Sequence, residues 1–389
     1  MHHPVRIFWC QPVGAMDYRL PFFEKAQRAF DVTFLFHQRG PVDHKLNCTY
    51  SSGISKIRIN TVGLSILGLT DLRTMYRSIR RCDVFVSSFV WNSYTLVGLA
   101  LCKLFRKKVI VWEERNEAHP SLRFRIQHAL IRLGLKHADA IFFCGESKNQ
   151  FLASNGVASE KLFATNEYPG HIYSQVLPRP VPLPFSDREK VILYLGRLVE
   201  VKGVEYLIRA FSLVERQRSD VALVIVGDGP LRKGLEDLGR ELGLQRVHFT
   251  GYVADVHAKS YLFHRSCMVV VPSVVTEKLQ SEGGWHDPGP IVVFEALSAG
   301  RPVIAAAVGA AVYIRDGVNG YRVPQRDVDA LADRIMRLLD APITPEQVLS
   351  TFREIKGHDN QVEQLGRAVS YVMSENPNTR LSLPNASDN

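Results

Sequence analysis

Two acidic side chains, Asp287 and Glu295, flank a stretch with the composition of a helix start. Between them stand Gly289, Pro290, Ile291 and Val292. Proline is favoured in the first turn of a helix, and glycine lets a ligand approach the backbone closely. Free amides at a helix start attract anions, and a carboxylate one turn further on accepts two hydroxyl hydrogen bonds. The pattern predicts a cradle for a ligand with phosphate and hydroxyl groups. The alternative is one capping acid and one solvated acid.

A second candidate site follows the apolar run 191–195, which has the composition of a buried strand. Gly196, Arg197 and Lys202 lie in the loop between this strand and a predicted helix. The two cations are five positions apart, close enough to hold one diphosphate, and arginine supplies a bidentate fork. The spacing predicts a phosphate site, whereas the alternative is a pair of surface charges on a tight turn.

The stretch from Asp287 to Ile304 resembles the donor-site signature of the retaining glycosyltransferases of family 4. In that signature, two acids eight positions apart flank a glycine-containing helix start before a Gly-x-Pro-Val-Ile strand. This chain has Asp287 where the family usually has Glu. The resemblance implies a GT-B-like α/β fold, in which two Rossmann-like domains face each other across a cleft. It also implies a nucleotide-diphosphate sugar as donor and no metal or other cofactor.

The resemblance implies further donor-binding residues. The family binds the donor pyrophosphate with a matching Gly-Arg and Lys-Gly loop, and Gly227 opens a similar Gly-x-Gly-Pro turn. Val253 closes a segment that resembles the one packed against the donor's base. The implied donor-binding set is Gly196, Arg197, Lys202, Gly227, Val253, Gly289, Pro290, Ile291, Val292 and Glu295. Between Val308 and Tyr313, where relatives commonly have two glycines and an acid, no acid is present.

Acidic residues follow the predicted strand 108–112. Open α/β sheets place their chemistry at the carboxyl ends of strands, so Glu113 or Glu114 is expected to hold an acceptor hydroxyl or its proton. A loop salt bridge to Arg115 is the alternative. Many relatives have a histidine at about position 114, whereas here His119 lies beyond it. Gly14 is the one glycine kept where the family has a glycine-rich acceptor loop. The catalytic candidates are therefore Asp287, Glu114 and Glu113, with Gly14 and His119 on the acceptor side.

Strand and helix patterns alternate in two stretches, separated by a segment in which every second residue from Pro178 to Pro184 is proline. The predicted organisation is an acceptor-binding Rossmann-like domain at 1–177, a linker at 178–186, a nucleotide-sugar-binding Rossmann-like domain at 187–356, a C-terminal helix at 357–375 and a disordered tail at 376–389. By analogy with the fold, the last helix is expected to cross back to the first domain.

The net charge of +9 lies in the first half of the chain. Residues 1–185 contain 24 Lys and Arg against 13 Asp and Glu. This asymmetry predicts an anionic partner, either a membrane surface or a phosphorylated acceptor. The basic clusters are 73–81, 103–108 and a set on the predicted helix 122–137 that consists of Arg125, Arg132 and Lys136. Solvated surface is the alternative. No nucleic-acid-binding motif is present, so nucleic acid is not an expected partner.

Six cysteines without paired spacing favour a reducing compartment and argue against a structural zinc site. No signal peptide is apparent, and polar residues interrupt the apolar stretch 84–105. The expected location is cytoplasmic, with peripheral attachment to the cytoplasmic face of a membrane as an option. The expected function is transfer of a sugar from a UDP- or GDP-linked donor to a glycan or lipid-linked acceptor, in polysaccharide biosynthesis. A nucleotide-sugar epimerase or hydrolase and a non-catalytic sugar-nucleotide-binding subunit are the alternatives.

Overall fold

The structure is a computed structural model of the chain. It describes residues 5–11, 19–39, 56–61, 69–88, 93–113, 132–144, 152–153, 155–165, 168–275, 291–355 and 357–374. The chain divides into two compact units. The first unit consists of Met1–Gly170 and Lys356–Asn389, and the second of His171–Ile355.

The first unit is built on a seven-stranded parallel sheet of order β3-β2-β1-β4-β5-β6-β7. Its strands are β1 (Arg6–Gln11), β2 (Asp31–Arg39), β3 (Lys56–Thr61), β4 (Val84–Ser88), β5 (Lys108–Glu113), β6 (Ala140–Cys144) and β7 (Leu162–Thr165). Helices α1 (Leu20–Ala29), α2 (Leu69–Arg81) and α3 (Ser93–Phe105) are also in this unit, and residues 132–137 are helical. Between residues 45 and 82 the sequence gave little signal apart from a helical pattern at 71–81, which corresponds to α2, and β3 was not predicted.

Helices cover both faces of this sheet, which explains why its inner strands β1, β4, β5 and β6 are mostly apolar. Side chains alternate between two cores along β1. Trp9 packs with Phe22 and Trp112 on the face covered by α1, whereas Phe8 packs with Phe85 on the face covered by α2 and α3. The sequence prediction that the stretch 84–105 is a buried strand followed by a helix is confirmed.

The second unit is built on a six-stranded parallel sheet of order β10-β9-β8-β11-β12-β13. Its strands are β8 (Lys190–Leu195), β9 (Val221–Val226), β10 (Val247–Gly251), β11 (Ser266–Val271), β12 (Val303–Ala306) and β13 (Gly320–Val323). Its helices are α4 (Val204–Glu215), α5 (Arg232–Glu241), α6 (Val256–Arg265), α7 (Ile291–Ser298), α8 (Val328–Asp340) and α9 (Pro345–Arg353). The strand order reverses between β8 and β11, and such a switch point opens a ligand crevice at the carboxyl edge of a sheet.

The chain passes from the first unit to the second at Gly170, earlier than the proline-rich segment that we expected to be the linker. The start of that segment packs against α6. The Ser260 hydroxyl donates to the Val176 carbonyl at 2.7 Å, and the Arg179 amide donates to the His257 carbonyl at 3.0 Å. Residues 171–186 therefore belong to the second unit.

The chain returns to the first unit through α10 (His358–Met373), which packs its apolar face against α1 and the sheet. His358, at the start of α10, is buried against Tyr168. Its Nε2 lies 3.2 Å from the Pro169 carbonyl oxygen and its Nδ1 lies 2.7 Å from Gln361 Oε1. Burial lowers the pKa of this imidazole. These contacts join the end of the first segment of this unit, at Tyr168 and Pro169, to the start of its second segment, at His358.

Candidate functional site

The loops that follow β8 and β11 meet at the switch point of the second sheet. Gly203 ends the β8 loop with φ +60°, and a Cβ there would lie 2.1 Å from the Pro272 carbonyl oxygen after β11. The Val274 amide donates to the Val201 carbonyl at 2.9 Å. Only glycine allows this close approach, so the two loops pack backbone against backbone.

The loop after β9 packs equally closely on the β8 loop. Gly227 has φ +140°, and a Cβ there would lie 1.9 Å from the Gly196 carbonyl oxygen. The Leu198 amide donates to the Asp228 carbonyl at 2.9 Å, and a Cβ at Gly229 would lie 2.4 Å from the Leu198 carbonyl oxygen. The glycines of the Gly-x-Gly-Pro turn thus let two neighbouring loops touch.

The predicted phosphate-binding cations lie on this loop framework. Arg197 is exposed, and its carbonyl accepts a hydrogen bond from the Tyr194 hydroxyl at 2.9 Å. Lys202 is half-buried in the short 3-10 turn that precedes Gly203. Val253 follows β10, whose last carbonyl, that of Gly251, accepts the Gly227 amide at 2.8 Å. The structure therefore brings the ends of β8, β9 and β10 to one edge of the sheet.

Glu295 lies on α7, and its carboxylate is contacted by Tyr173, which is distant in sequence. The Tyr173 hydroxyl, which is fully buried, donates to Glu295 Oε1 at 3.4 Å. The Tyr173 amide donates to the Ser298 hydroxyl at 3.0 Å, and that hydroxyl donates to the Glu295 carbonyl at 2.7 Å. Tyr173 therefore orients the carboxylate, a role that sequence analysis did not predict.

Burial raises the pKa of the Glu295 carboxyl, although the side chain keeps some solvent exposure. Lys259 and the hydroxyl of Tyr173 act in the opposite direction. Burial also raises the pKa of Tyr173, so its hydroxyl stays protonated and can donate. A carboxylate in these surroundings is a strong acceptor for ligand hydroxyls.

Two more predicted donor residues lie on α7, where Ile291 is half-buried and Val292 is buried. In the 3-10 turn Gly309–Tyr313, the Tyr313 ring packs 4.8 Å from Phe294 of α7, in the region where relatives have an acid.

The predicted residues outside the described part of the chain are Gly14, Glu114, His119, Asp287, Gly289 and Pro290.

In the first unit, Glu113 is the last residue of β5 and is only 1% exposed. It belongs to the strand rather than to the loop that follows. Arg19, just before α1, is also buried, and its guanidinium lies 4.9 Å from the centre of the neighbouring Trp112 ring. The carboxyl edge of this sheet thus combines a buried acid with a buried cation. Sequence analysis missed Arg19, because nothing local marks an arginine that packs on a ring 93 positions away.

A family model matches the part of the chain that contains these loops. Residues 180–354 match the family model of glycosyl transferases group 1. This segment contains Arg197, Lys202, Gly227 and Glu295. The group 1 match therefore covers the edge at which the structure assembles the predicted donor residues.

Two curated relatives match over part of the chain. An uncharacterized glycosyltransferase of Methanocaldococcus jannaschii is 39% identical over 156 residues, 40% of this chain and 37% of that protein. The alpha-D-kanosaminyltransferase of Streptomyces kanamyceticus is 35% identical over 164 residues, 42% of this chain and 39% of that protein. The chain thus spans about two fifths of the length of these relatives.

The crystal structure of Anabaena HepE in complex with UDP has a TM-score of 0.71 to this chain. The sequence identity is 17%, and the match covers 94% of this chain and 100% of that chain. At this identity the likeness shows the fold. The predicted GT-B-like α/β fold, with two Rossmann-like domains, is confirmed.

Proposed function

We propose that this protein is a glycosyltransferase of family 4 that transfers a sugar, with retention, from a UDP- or GDP-linked donor. The acceptor is a hydroxyl of a glycan or lipid-linked molecule in polysaccharide or glycoconjugate biosynthesis. The observation that carries the proposal is the carboxyl edge of the second sheet, where glycine-packed loops hold Arg197 and Lys202 and Tyr173 holds Glu295 on α7. This edge lies within the group 1 match.

Each residue has a defined task in this proposal. A nucleoside diphosphate leaves readily only when its growing negative charge is met, so Arg197 and Lys202 would stabilise it. Glu295 would accept hydroxyl hydrogen bonds from the donor. Asp287, Glu113 and Glu114 remain the catalytic candidates, and no metal or other cofactor takes part.

Calorimetric titration with UDP, GDP, ADP and their sugar conjugates tests the proposal. We expect one nucleotide to bind, and Arg197→Ala to weaken that binding about 10- to 100-fold, because a hydrogen bond to a charged group contributes about 1.5–3 kcal/mol. Arg216→Ala is the matched control, since Arg216 is an exposed arginine beyond the C-terminal end of α4.

Three other results would contradict transfer and point elsewhere. Turnover of the donor without acceptor would favour an epimerase or hydrolase. Donor binding without turnover across an acceptor panel would favour a non-catalytic subunit. Absence of binding by any nucleotide would remove the donor site altogether.

The proposal includes peripheral attachment to the cytoplasmic face of an anionic membrane. Helices α2 and α3 expose three large apolar side chains: Leu72 (36%), Tyr76 (43%) and Leu104 (69%). The Tyr76 ring lies 5.4 Å from that of Phe105, so the two helices form one surface. Its exposed cations are Arg73, Arg77, Arg80, Arg81, Lys103 and Arg106. Apolar tips among cations fit an anionic lipid surface. None of the described helices is long and apolar enough to span a bilayer.

We expect Arg77→Ser with Lys103→Ser to weaken binding to vesicles of phosphatidylcholine and phosphatidylglycerol about 10- to 30-fold, because each cation near an anionic surface contributes about 1 kcal/mol. Leu104→Ser should weaken it as well, since the leucine enters the interface. Arg216→Ser with Lys233→Ser removes the same charge from the second unit and should have little effect. Co-sedimentation measures the binding, and equal losses in both double variants would contradict the assignment of this surface.

A further inference from the structure

A cavity of about 400 Å³ lies in the first unit, outside the surface formed by α2 and α3. Three cations line it: Arg132 and Lys136 from the helical residues 132–137, and Lys161 from the turn before β7. Of the described residues that line it, none is acidic. Two of these cations, Arg132 and Lys136, belong to the basic set for which the sequence predicted an anionic partner.

Hydrogen bonds within the protein fix two of the cations. Arg132 Nε donates to Asn155 Oδ1 at 3.3 Å, and Lys161 Nζ donates to the Ala138 carbonyl at 3.3 Å. Gly156, with φ +78°, shapes the turn that forms one wall. Cations held in this way lose less side-chain entropy when a ligand binds.

Two acids that are close in sequence to the lining, Asp139 and Glu160, are not among the described residues that line the cavity. Asp139 Oδ2 accepts the Val109 amide at 2.8 Å, which ties it to the start of β5. The positive charge around the cavity is therefore not neutralised from the described lining.

The cavity lies at the amino edge of the sheet. Ala138 precedes β6, and Lys161 immediately precedes β7. Glu113, by contrast, is at the carboxyl end of β5. A strand of five residues spans about 17 Å, which separates the cavity from the edge expected to hold the acceptor.

We propose that this cavity is a second ligand site, which binds a phosphate ester or a diphosphate carried on a small organic group. The three cations would hold the phosphate oxygens, with Arg132 supplying a planar fork. The volume is far greater than inorganic phosphate requires and is typical of sites for small organic ligands. Leu135, Val157 and Ala158 supply apolar wall for the organic part.

Lysine-acylation footprinting of the whole protein, read by mass spectrometry, tests the site directly. The probes are inorganic pyrophosphate, glucose 1-phosphate and monomeric dihexanoylphosphatidylglycerol at matched ionic strength. At a probe concentration four times the dissociation constant, we expect acylation of Lys136 and Lys161 to slow about fivefold. Exposed Lys233, in the second unit, should react unchanged. Protection by glucose 1-phosphate identifies a soluble source, and protection by the lipid alone identifies a headgroup. Protection by none of the three probes overturns the proposal.

The variant Arg132→Gln with Lys161→Gln should weaken binding of the protecting probe by about 10-fold or more, because two charged hydrogen-bond donors are lost. The control, Arg216→Gln with Lys233→Gln, removes the same charge from exposed positions of the second unit, outside both proposed binding sites of the first unit. Equal weakening in both variants would show a diffuse charge effect and overturn the site. Because acylation is read lysine by lysine, binding at the proposed donor loop is scored separately at Lys202.

Discussion

For the proposed sugar transfer, we expect Glu295→Gln to lower kcat/KM by about 100- to 1,000-fold, since a carboxylate that would accept two hydroxyl hydrogen bonds is replaced by a neutral amide. Glutamine keeps the length of the side chain, and α7 has a buried apolar face that does not depend on this charge. The protein should therefore remain folded. Steady-state kinetics with the nucleotide sugar identified by titration measures the loss.

Tyr173→Phe is the companion variant, because it removes only the hydroxyl that donates to Glu295. That hydroxyl lowers the pKa of Glu295, whereas burial raises it. Without the hydroxyl, the pKa of Glu295 rises further. If activity needs the ionised carboxylate, the acid limb of the pH–rate profile moves to higher pH in Tyr173→Phe and disappears in Glu295→Gln. A profile unchanged in both variants would exclude Glu295 from the donor site.

Gly227→Ala disrupts the packing between the loops after β8 and β9. A Cβ at position 227 would lie 1.9 Å from the Gly196 carbonyl oxygen, at φ +140°, where L-residues are strained. We expect a loss of about 2–4 kcal/mol in the free energy of unfolding. The displaced β8 loop contains Arg197 and Lys202, so nucleotide binding should fall by about 10-fold or more at temperatures where the variant is still folded.

Gly234→Ala is the matched control for this substitution. Gly234 lies within α5, and a Cβ there would meet nothing within 4 Å. Because alanine is the better helix former, this variant should gain up to about 1 kcal/mol and bind nucleotide normally. Urea unfolding and calorimetry measure both quantities. If Gly227→Ala bound nucleotide as tightly as Gly234→Ala does, the close contact between the loops would have no role in the site.

Local sequence patterns were sufficient for most of the second unit. The strand at 191–195, the glycine turn at Gly227 and the helix from Val328 each depend on composition within a few residues, and the structure shows all three. Helix α9 was missed although its signal was present. Thr344 and Gln347 form a capping box with Pro345 at the first helical position, a combination that marks a helix start.

The first unit was harder to interpret because its sequence signals were weak. β3 has exposed-strand composition, with charged residues among the apolar ones, and periodicity did not single it out. The proline-rich segment, by contrast, had a clear local signal. Its composition predicts an extended chain, but composition does not tell which unit an extended chain packs against.

By itself, the sequence determined which residues can do chemistry and which loops hold them, because glycines, cations and acids act through neighbours a few positions away. Only the tertiary structure decided their partners. Tyr173 meets Glu295 across 122 positions, and Gly227 meets Gly196 because β8 and β9 are adjacent in the sheet. Arg132, Lys136 and Lys161 line one cavity because β6 and β7 begin side by side. Strand order follows from packing of the whole chain, and local periodicity does not encode it.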